Sequence, residues 1–202
     1  MSTVFVSLTD QGYLQRAIRT LTDLRTKGNW CGDVVLLCVD FDPPDDQMKQ
    51  LNVIVHKVEH INHFPIWKAW LTNPIPKMDD NRHYMKVTQW DKLYVFSDYF
   101  KSWDRVVFLD AGIRVLDDVC HLLALPWERK FLAPDDSDPY DNGRRFNIQV
   151  HLEANQKAKE DFIAEFGTEF LDKRYFLNCI FLFDTYLLHT GQAFGAMKEL
   201  MY

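Results

Sequence analysis

The chain has 202 residues, of which 47% are hydrophobic and 14% aromatic, and its formal net charge is −6. This size and composition predict a single globular domain over residues 1–202, or the N-terminal domain of a longer protein. Because the balance is acidic and no basic run exceeds two residues, the sequence argues against a nucleic-acid-binding surface.

The four cysteines show no close pairing and no spacing typical of a metal site: Cys31, Cys38, Cys120 and Cys179. Two of them, Cys38 and Cys179, lie within apolar runs, which predicts buried free thiols. The N-terminus has neither a charged region nor an apolar stretch long enough for a signal or a membrane span. These features predict a soluble protein of a reducing compartment, the cytoplasm.

Apolar runs rich in β-branched residues alternate along the chain with segments of helical periodicity. The runs predict strands at residues 3–8, 33–40, 52–58, 106–110, 131–133 and 175–184. Helices are predicted at residues 13–27, in a short segment ending at residue 51, and at 84–99, 117–125, 152–171 and 185–202. This order predicts an α/β, Rossmann-like fold with a central mixed, mostly parallel sheet flanked by helices. The last helix has no cap before Tyr202, which is the observation behind the alternative of an N-terminal domain of a longer protein.

The most informative strand is the apolar run that begins at Val106 and ends in the acid Asp110. Such a run is typical of a central strand buried on both faces, and its acid then lies at the carboxyl end. Open α/β sheets bind ligands outside these strand ends, and Gly112 leaves room for a ligand to approach. The alternative interpretation is a strand that ends in a turn, with Asp110 capping local amides.

Four motifs follow one another in an informative order: residues 5–13, Lys92, residues 107–112 (Val-Phe-Leu-Asp-Ala-Gly) and residues 176–181 (Phe-Leu-Asn-Cys-Ile-Phe). In this order and spacing the chain resembles the GT-A glycosyltransferases, and in particular the glycogenin-like family. The Asp-X-Gly form of the third motif is also similar to that of glycosyltransferase domains encoded by algal viruses. The resemblance implies a GT-A nucleotide-diphospho-sugar transferase fold.

The resemblance also implies a reaction and its site. The activity would be transfer of a sugar from a UDP-sugar to a glycan or glycoprotein acceptor, with retention and with help from Mn²⁺ or Mg²⁺. The donor-binding residues that it implies are Ser7, Leu8, Thr9, Asp10, Tyr13, Lys92, Asp110, Ala111 and Gly112. Asp79 is a further donor-binding candidate, from the irregular segment before the helix that carries Lys92. The catalytic residue that it implies is Asn178, and we add Asp135 and Asp136 of the acidic loop as further catalytic candidates.

The metal assignment depends on the third motif, because the family carries Asp-X-Asp at this position. Residues two apart on an extended chain point the same way, so two carboxylates can share one cation, which neutralises the diphosphate leaving group. Here Gly112 replaces the second acid, which leaves Asp110 as the metal ligand with waters and phosphate oxygens. The missing ligand could also come from Asp117, Asp118, Asp184 or His189.

The acceptor half of the site departs from the family pattern as well, since the Asp-Gln pair found beyond the Asn strand has no counterpart after Asp184. The acidic loop at residues 135–143 could replace it, or the acceptor half could lie beyond residue 202. A solvated turn is the other interpretation of that loop.

Three residues have competing structural interpretations. Lys92 and Arg114 could contact phosphate, or they could be solvated or salt-bridged surface cations. Asn178, predicted inside a strand, could be a hydrogen-bonded core residue.

The irregular segment at residues 72–84 has no periodicity and runs into the helix that carries Lys92. We expect it to act as a lid that reorders on donor binding and brings Asp79 or Asp80 towards the donor. The alternative is an ordered loop pinned by Trp67 and Trp70.

Two other functions compete with this hypothesis. The replacement at Gly112 could have produced a nucleotide-sugar-binding domain without turnover. A sugar-nucleotide pyrophosphorylase is disfavoured because residues 7–20 lack the Gly-rich, Arg-containing loop that cradles a nucleoside triphosphate.

Overall fold

The computed structural model of the protein describes residues 1–61, 84–135, 145–149, 156–174, 176–190 and 195. The strands are Thr3–Thr9 (β1), Asp33–Val39 (β2), Ile54–Val58 (β3), Arg105–Leu109 (β4), Phe131–Leu132 (β5) and Ile180–Asp184 (β6). The α-helices are Leu14–Thr26 (α1), Asp45–Gln50 (α2), Cys120–Leu123 (α3), Phe146–Gln149 (α4), Gln156–Phe166 (α5) and Tyr186–His189 (α6). The 3-10 helices are Gln11–Tyr13, Tyr84–Phe96, Asp98–Ser102 and Thr168–Asp172.

The six strands form one sheet in the order β3-β2-β1-β4-β6-β5. β1 pairs in parallel with β2 and with β4, and β2 pairs in parallel with β3. The first three strands therefore extend the sheet in one direction from β1, whereas β4 begins its other half. The expected α/β architecture, a mostly parallel sheet flanked by helices, is confirmed.

The chain forms two compact units, one made of Met1–Phe131 with Leu182–Tyr202 and the other of Leu132–Phe181. In the first unit the inner strands are buried along almost their whole length, and α1 contacts β1 with its apolar face. The four leucine and alanine positions of that face are buried: Leu14, Ala17, Leu21 and Leu24. The assignment of residues 1–202 to a single domain stays a prediction.

The second unit has its own aromatic cluster. Phe146 stacks on Phe162 at 4.9 Å between ring centroids and meets Phe170 edge-on at 5.2 Å. Phe166 lies 4.7 Å from Phe162 and 5.6 Å from Phe170. These four residues form a half-buried aromatic cluster, with Phe166 exposed, whose ring contacts stabilise the unit.

Several element boundaries differ from the sequence prediction. The α-helix predicted at residues 84–99 consists of two 3-10 helices, Tyr84–Phe96 and Asp98–Ser102. The helix predicted at residues 152–171 is α5, followed by a glycine and the 3-10 helix Thr168–Asp172. Gly167 has a φ of 84°, a conformation that ends an α-helix and that side chains other than glycine rarely adopt.

The alternative interpretation of Asn178 as a hydrogen-bonded core residue was wrong. The last strand begins only at Ile180, and the Asn178 side chain is exposed in the turn that precedes it. The apolar run at residues 175–184 predicted one continuous buried strand, yet Phe176 and Leu177 are exposed. Apolar side chains do occur at the surface, so an apolar run does not by itself fix burial.

Some expectations fall outside the described residues. These are the lid at residues 72–83 with Asp79 and Asp80, the two tryptophans Trp67 and Trp70, Asp136, and the rest of the acidic loop through residue 143. The same is true of the closing helix beyond Thr190, apart from residue 195.

All four cysteines are free, and Cys38 is fully buried as predicted, whereas Cys179 is only partly buried. Burial raises the pKa of the Cys38 thiol to about 12, so this cysteine stays protonated at neutral pH. Within the described ranges, every helix is too short or too polar to cross a bilayer.

Candidate functional site

The sheet reverses its direction of growth between β1 and β4, and polar residues follow the carboxyl ends of both strands. The register pairs Val6 with Phe108, so Leu8 on β1 lies level with Asp110 just beyond β4. Ligands of open α/β sheets bind in the crevice outside the strand ends at such a switch point. The two donor-site segments of the sequence analysis thus meet at one edge of the sheet.

On the β1 side, only part of the expected segment is accessible. Ser7, Leu8 and Thr9 have 0%, 6% and 1% of their surface exposed, so their side chains belong to the core. The carboxylate of Asp10 accepts a hydrogen bond from the Tyr13 backbone amide at 2.9 Å and caps the 3-10 helix. The Tyr13 side chain remains about half exposed, so part of its ring surface is open to a ligand.

On the β4 side, Asp110 forms an ion pair with Lys92. The Lys92 Nζ atom lies 2.9 Å from Asp110 Oδ2, and it lies 5.6 Å from the centroid of the Phe108 ring. Lys92 is only 8% exposed, whereas the Asp110 side chain is 36% exposed. Of the two interpretations of Lys92, the structure shows the salt bridge, located at the strand end where a ligand would bind.

The neighbouring residue, Asp91, is itself bonded to the segment that follows β3. Its side chain is fully buried, with Oδ1 accepting from the Ile61 backbone amide at 2.8 Å and Oδ2 bonded to His60 Nδ1 at 2.7 Å. Burial raises the pKa of the Asp91 carboxyl, and its bonds to Ile61 and His60 oppose that effect. Sequence reasoning missed Asp91, although an acid within a largely apolar segment signals a buried hydrogen-bonding role.

The turn after Asp110 is fixed to α1 by a buried hydroxyl. The Gly112 amide donates to Thr20 Oγ1 at 3.0 Å, and Thr20 Oγ1 donates to the Ile113 carbonyl at 2.8 Å. Gly112 itself has a φ of 108°, a conformation that favours glycine. Thr20, a polar residue on the apolar face of α1, was not singled out from the sequence.

A second cation, Arg16, lies beside this turn. Its Cδ atom is 3.8 Å from the point that a Cβ atom on residue 112 would occupy, and its guanidinium carbon is 5.0 Å from the Tyr13 ring centroid. The side chain is exposed. Arg16 therefore links the aromatic residue at the β1 end with the turn at the β4 end, a role that sequence reasoning did not identify.

Arg114 has a different role from the phosphate contact that the sequence left open. It is hydrogen-bonded to the carboxylate of Asp23, which also pairs with Lys27 at 2.9 Å. The Arg114 guanidinium, and secondarily Lys27, lowers the pKa of Asp23 to about 2. Arg114 is thus a salt-bridged residue that ties the segment after β4 to α1.

The residues at this edge do not fit a divalent-metal site built from several protein ligands. Gly112 supplies no carboxylate, and the Asp110 carboxylate is paired with an ammonium group. The acids proposed as replacements serve as local caps: Asp184 accepts from the Arg129 and Tyr186 amides, Asp117 from the Asp118 amide and Asp118 from the Cys120 amide. Across the described ranges there is no cluster of three side chains able to hold a metal ion.

Two of the three expected catalytic residues lie in the second unit. Asp135 pairs with Phe176 in an antiparallel bridge, and the Leu177 amide donates to the Pro134 carbonyl at 2.9 Å. Asn178 directly follows this short ladder, and its side chain is exposed. The Asp135 carboxylate also accepts a hydrogen bond from Arg174 at 2.7 Å.

Solved structures with a similar fold are glycosyltransferases. The galactosyltransferase LgtC, solved with donor and acceptor sugar analogs, matches with a TM-score of 0.56 and 13% identity over 98% of this chain and 64% of LgtC. Core-mannan synthase A (CmsA/Ktr4) from Aspergillus fumigatus, in its Mn/GDP form, matches with a TM-score of 0.58 and 14% identity over 100% of this chain and 64% of that protein. Mouse xyloside xylosyltransferase 1 gives a TM-score of 0.52 and 11% identity, over 98% of this chain and 72% of that protein.

These similarities show that the chain has the GT-A fold. No family model matches the sequence, and no curated protein matches it significantly. The chain spans 64% of the length of both LgtC and CmsA/Ktr4.

Proposed function

We propose that the protein is a glycosyltransferase that transfers a sugar from a UDP-sugar to a glycan or glycoprotein acceptor, with retention of configuration. The observation that carries this proposal is the group formed by Asp110, Lys92, Arg16 and Tyr13 at the switch point of the sheet. It combines an exposed aromatic ring with two cations, which suits a nucleoside diphosphate. The GT-A fold supports the same reaction class.

In this proposal the nucleotide lies across the ends of β1 and β4. The exposed ring of Tyr13 stacks on uracil, and the backbone of Leu8 and Thr9 borders the base, since their side chains are buried. Lys92 and Arg16 face the diphosphate, whose oxygens accept charge-assisted hydrogen bonds. The turn at Ala111 and Gly112 presents only small groups and lets the phosphates approach the backbone.

The transfer needs stabilisation of a departing diphosphate. The bond between the sugar C1 atom and the β-phosphate oxygen breaks, and its electron pair leaves with UDP. The acceptor hydroxyl oxygen bonds to C1 and loses its proton. Cations fixed before the reaction stabilise the developing negative charge without reorganisation, so a preformed ammonium and guanidinium suit this step.

The proposed reaction does not use the Mn²⁺ or Mg²⁺ ion that was expected on Asp110. A bound divalent ion would supply charge neutralisation at the diphosphate. The residues fit it poorly, because the single carboxylate is already paired with Lys92. Asp79, Asp136, Asp135 and Asn178 stay predictions as donor-binding or catalytic residues.

Nucleotide choice and turnover together test the proposed function. Thermal shifts with UDP, GDP and CMP should show stabilisation by UDP, of about 2.7 kcal/mol at a hundredfold excess over its Kd. CmsA/Ktr4 is described in a Mn/GDP form, so base choice must come from local residues such as Tyr13 and not from the fold. Equal shifts with GDP and UDP would reject the uracil pocket.

A panel of UDP-sugars, assayed for UDP release, then separates the rival functions. Release of UDP supports a transferase, whereas binding without any release supports the nucleotide-sugar-binding domain that Gly112 in place of an acid suggests. Formation of UTP from a UDP-sugar and pyrophosphate would identify a pyrophosphorylase instead.

A further inference from the structure

The edge of the sheet that faces the proposed diphosphate contains one carboxylate where a metal-binding Asp-X-Asp motif would have two. Residue 112 is a glycine at a φ of 108°, and an added Cβ atom would meet only Arg16 Cδ within 4 Å. The position that a second carboxylate would occupy is therefore bordered by the stem of an arginine.

The remaining carboxylate is already neutralised. Lys92 Nζ donates to Asp110 Oδ2 at 2.9 Å, and the lysine has no other polar partner among the described residues. Its 8% exposure and the anchoring of Asp91 beside it keep the ammonium at this strand end. A divalent ion on Asp110 would have to sit next to this ammonium, and like charges a few ångströms apart repel strongly in a partly buried site.

Arg16 supplies positive charge that no carboxylate in the described part of the chain neutralises. Among the described residues its guanidinium contacts the Tyr13 ring, with its carbon 5.0 Å from the ring centroid. Asp10, the acid that follows β1, uses its carboxylate to cap the Tyr13 amide, and Asp40, which follows β2, accepts from the His60 amide. With Asp110 matched by Lys92, the guanidinium of Arg16 is left to pair with a ligand, and its planar fork matches two phosphate oxygens at once.

We propose that Arg16 and Lys92 take the place of the divalent cation, so that the protein binds and uses its nucleotide-sugar without metal. This inference rests on the proposed function, because it assumes that a nucleoside diphosphate occupies this edge. When the C1–O bond breaks, the electron pair moves to the β-phosphate oxygen. The Arg16 guanidinium neutralises part of that charge, and Lys92, whose charge is shared with Asp110, donates a hydrogen bond to a phosphate oxygen. The acceptor oxygen forms the new bond to C1 and gives its proton to the departing β-phosphate oxygen, so the step needs no other reactant.

Calorimetric titration with UDP, with EDTA and with Mn²⁺ in parallel, tests this inference. We expect the same Kd under both conditions to within about threefold, which is less than 1 kcal/mol when converted at 1.4 kcal/mol per tenfold. Arg16→Met should weaken binding by about tenfold or more under both conditions, because a hydrogen-bonded charge is lost.

Arg19→Met is the matched control, since Arg19 is an exposed arginine one turn further along the same helix. It should leave the Kd unchanged to within about twofold. Lys92→Met should also weaken binding, and far-ultraviolet circular dichroism checks that this less exposed substitution leaves the fold intact.

The outcomes separate this inference from the proposed function. UDP binding that appears only with Mn²⁺, and that loses its metal dependence in Asp110→Asn, would overturn the inference and leave the transferase proposal standing. Unchanged affinity in Arg16→Met would also overturn it. Absence of UDP binding in both EDTA and Mn²⁺ would reject the proposed function itself.

Discussion

Gly112 is the residue at which backbone geometry and chemistry meet most directly. Its φ of 108° lies where side chains other than glycine are strained, although space for a Cβ atom exists. We therefore expect Gly112→Ala to lower the free energy of unfolding by about 1–3 kcal/mol, through backbone strain and not through a clash. Urea denaturation of the two proteins measures this difference.

Gly12→Ala provides the control for that substitution. Gly12 lies in the 3-10 helix before α1 without a positive φ, and an added Cβ atom would meet only Asp10 Oδ1 at 3.4 Å. Its effect on the free energy of unfolding should stay within about 0.5 kcal/mol. Similar losses at both glycines would show that the backbone angle at residue 112 is not the source of the cost.

The residues of the site that could be predicted from the sequence are those in local motifs. Asp110 follows a recognisable apolar run, and Lys92 precedes it at a spacing that the family resemblance supports. Thr20 and Arg16 could not be found in this way, because their partners at residues 112–113 lie more than 90 positions along the chain. A polar residue on an apolar helix face was the only local signal that Thr20 gave.

At the scale of elements, α1 is more than a packing helix because its polar residues hold the segment after β4. Asp23 is 5% exposed and accepts hydrogen bonds from Arg114 and Lys27. Its pKa is lowered to about 2 in the folded protein, first by Arg114. Since a lowered pKa in the folded state stabilises the protein above the unfolded pKa, this contribution is fully present at neutral pH and is lost between about pH 4 and pH 2.

The prediction is that Asp23→Asn lowers the free energy of unfolding at neutral pH by on the order of 2 kcal/mol. The difference from the unmodified protein should shrink as the pH falls through the interval from about 4 to 2. Denaturant unfolding at a series of pH values measures it. Arg114→Gln should lower the free energy of unfolding by a smaller amount with the same pH dependence. If the loss in Asp23→Asn does not change with pH, the Asp23 carboxylate is not its origin.

Element types were predictable where the sequence pattern was long and one-sided. The buried runs of β1, β2 and β4 and the apolar stripe of α1 follow directly from β-branched residues and helical spacing. The segment Tyr84–Phe96 was harder, because spacings of three and four residues overlap over short stretches and do not separate a 3-10 helix from an α-helix. The predicted start of the last strand was wrong because the apolar run begins at residue 175, whereas the strand begins only at Ile180.

At the scale of the whole molecule, the order of strands in the sheet decides where the site lies. The alternation of strands and helices predicts a parallel sheet, but it does not predict that β4 lies beside β1 and not beside β3. That adjacency is a consequence of tertiary packing, with β1 and β4 exchanging backbone hydrogen bonds along Thr3 to Val6. It brings the ends of residues 7–13 and 110–112 together, which no local pattern could show.

The two compact units lead to a prediction about how function is divided between them. The proposed nucleotide-binding residues belong to the unit of Met1–Phe131 with Leu182–Tyr202, whereas Asp135 and Asn178 belong to the unit of Leu132–Phe181. If the second unit contributes only to transfer, Asn178→Ala should reduce turnover of the UDP-sugar by about tenfold or more while changing the Kd for UDP by less than about twofold. Steady-state kinetics and calorimetry measure the two effects separately.

Asp135 needs its own control, because its carboxylate is paired with Arg174 at 2.7 Å. Asp135→Asn and Arg174→Gln both remove that ion pair, which is exposed on the arginine side and should contribute less than about 1 kcal/mol to stability. If Asp135 acts in transfer itself, Asp135→Asn should lower turnover by about tenfold and Arg174→Gln by much less. Equal losses in the two variants would show that Asp135 serves only to hold Arg174.

Parallel losses in UDP affinity and turnover in Asn178→Ala would contradict the division between the units, because they would make Asn178 part of nucleotide binding.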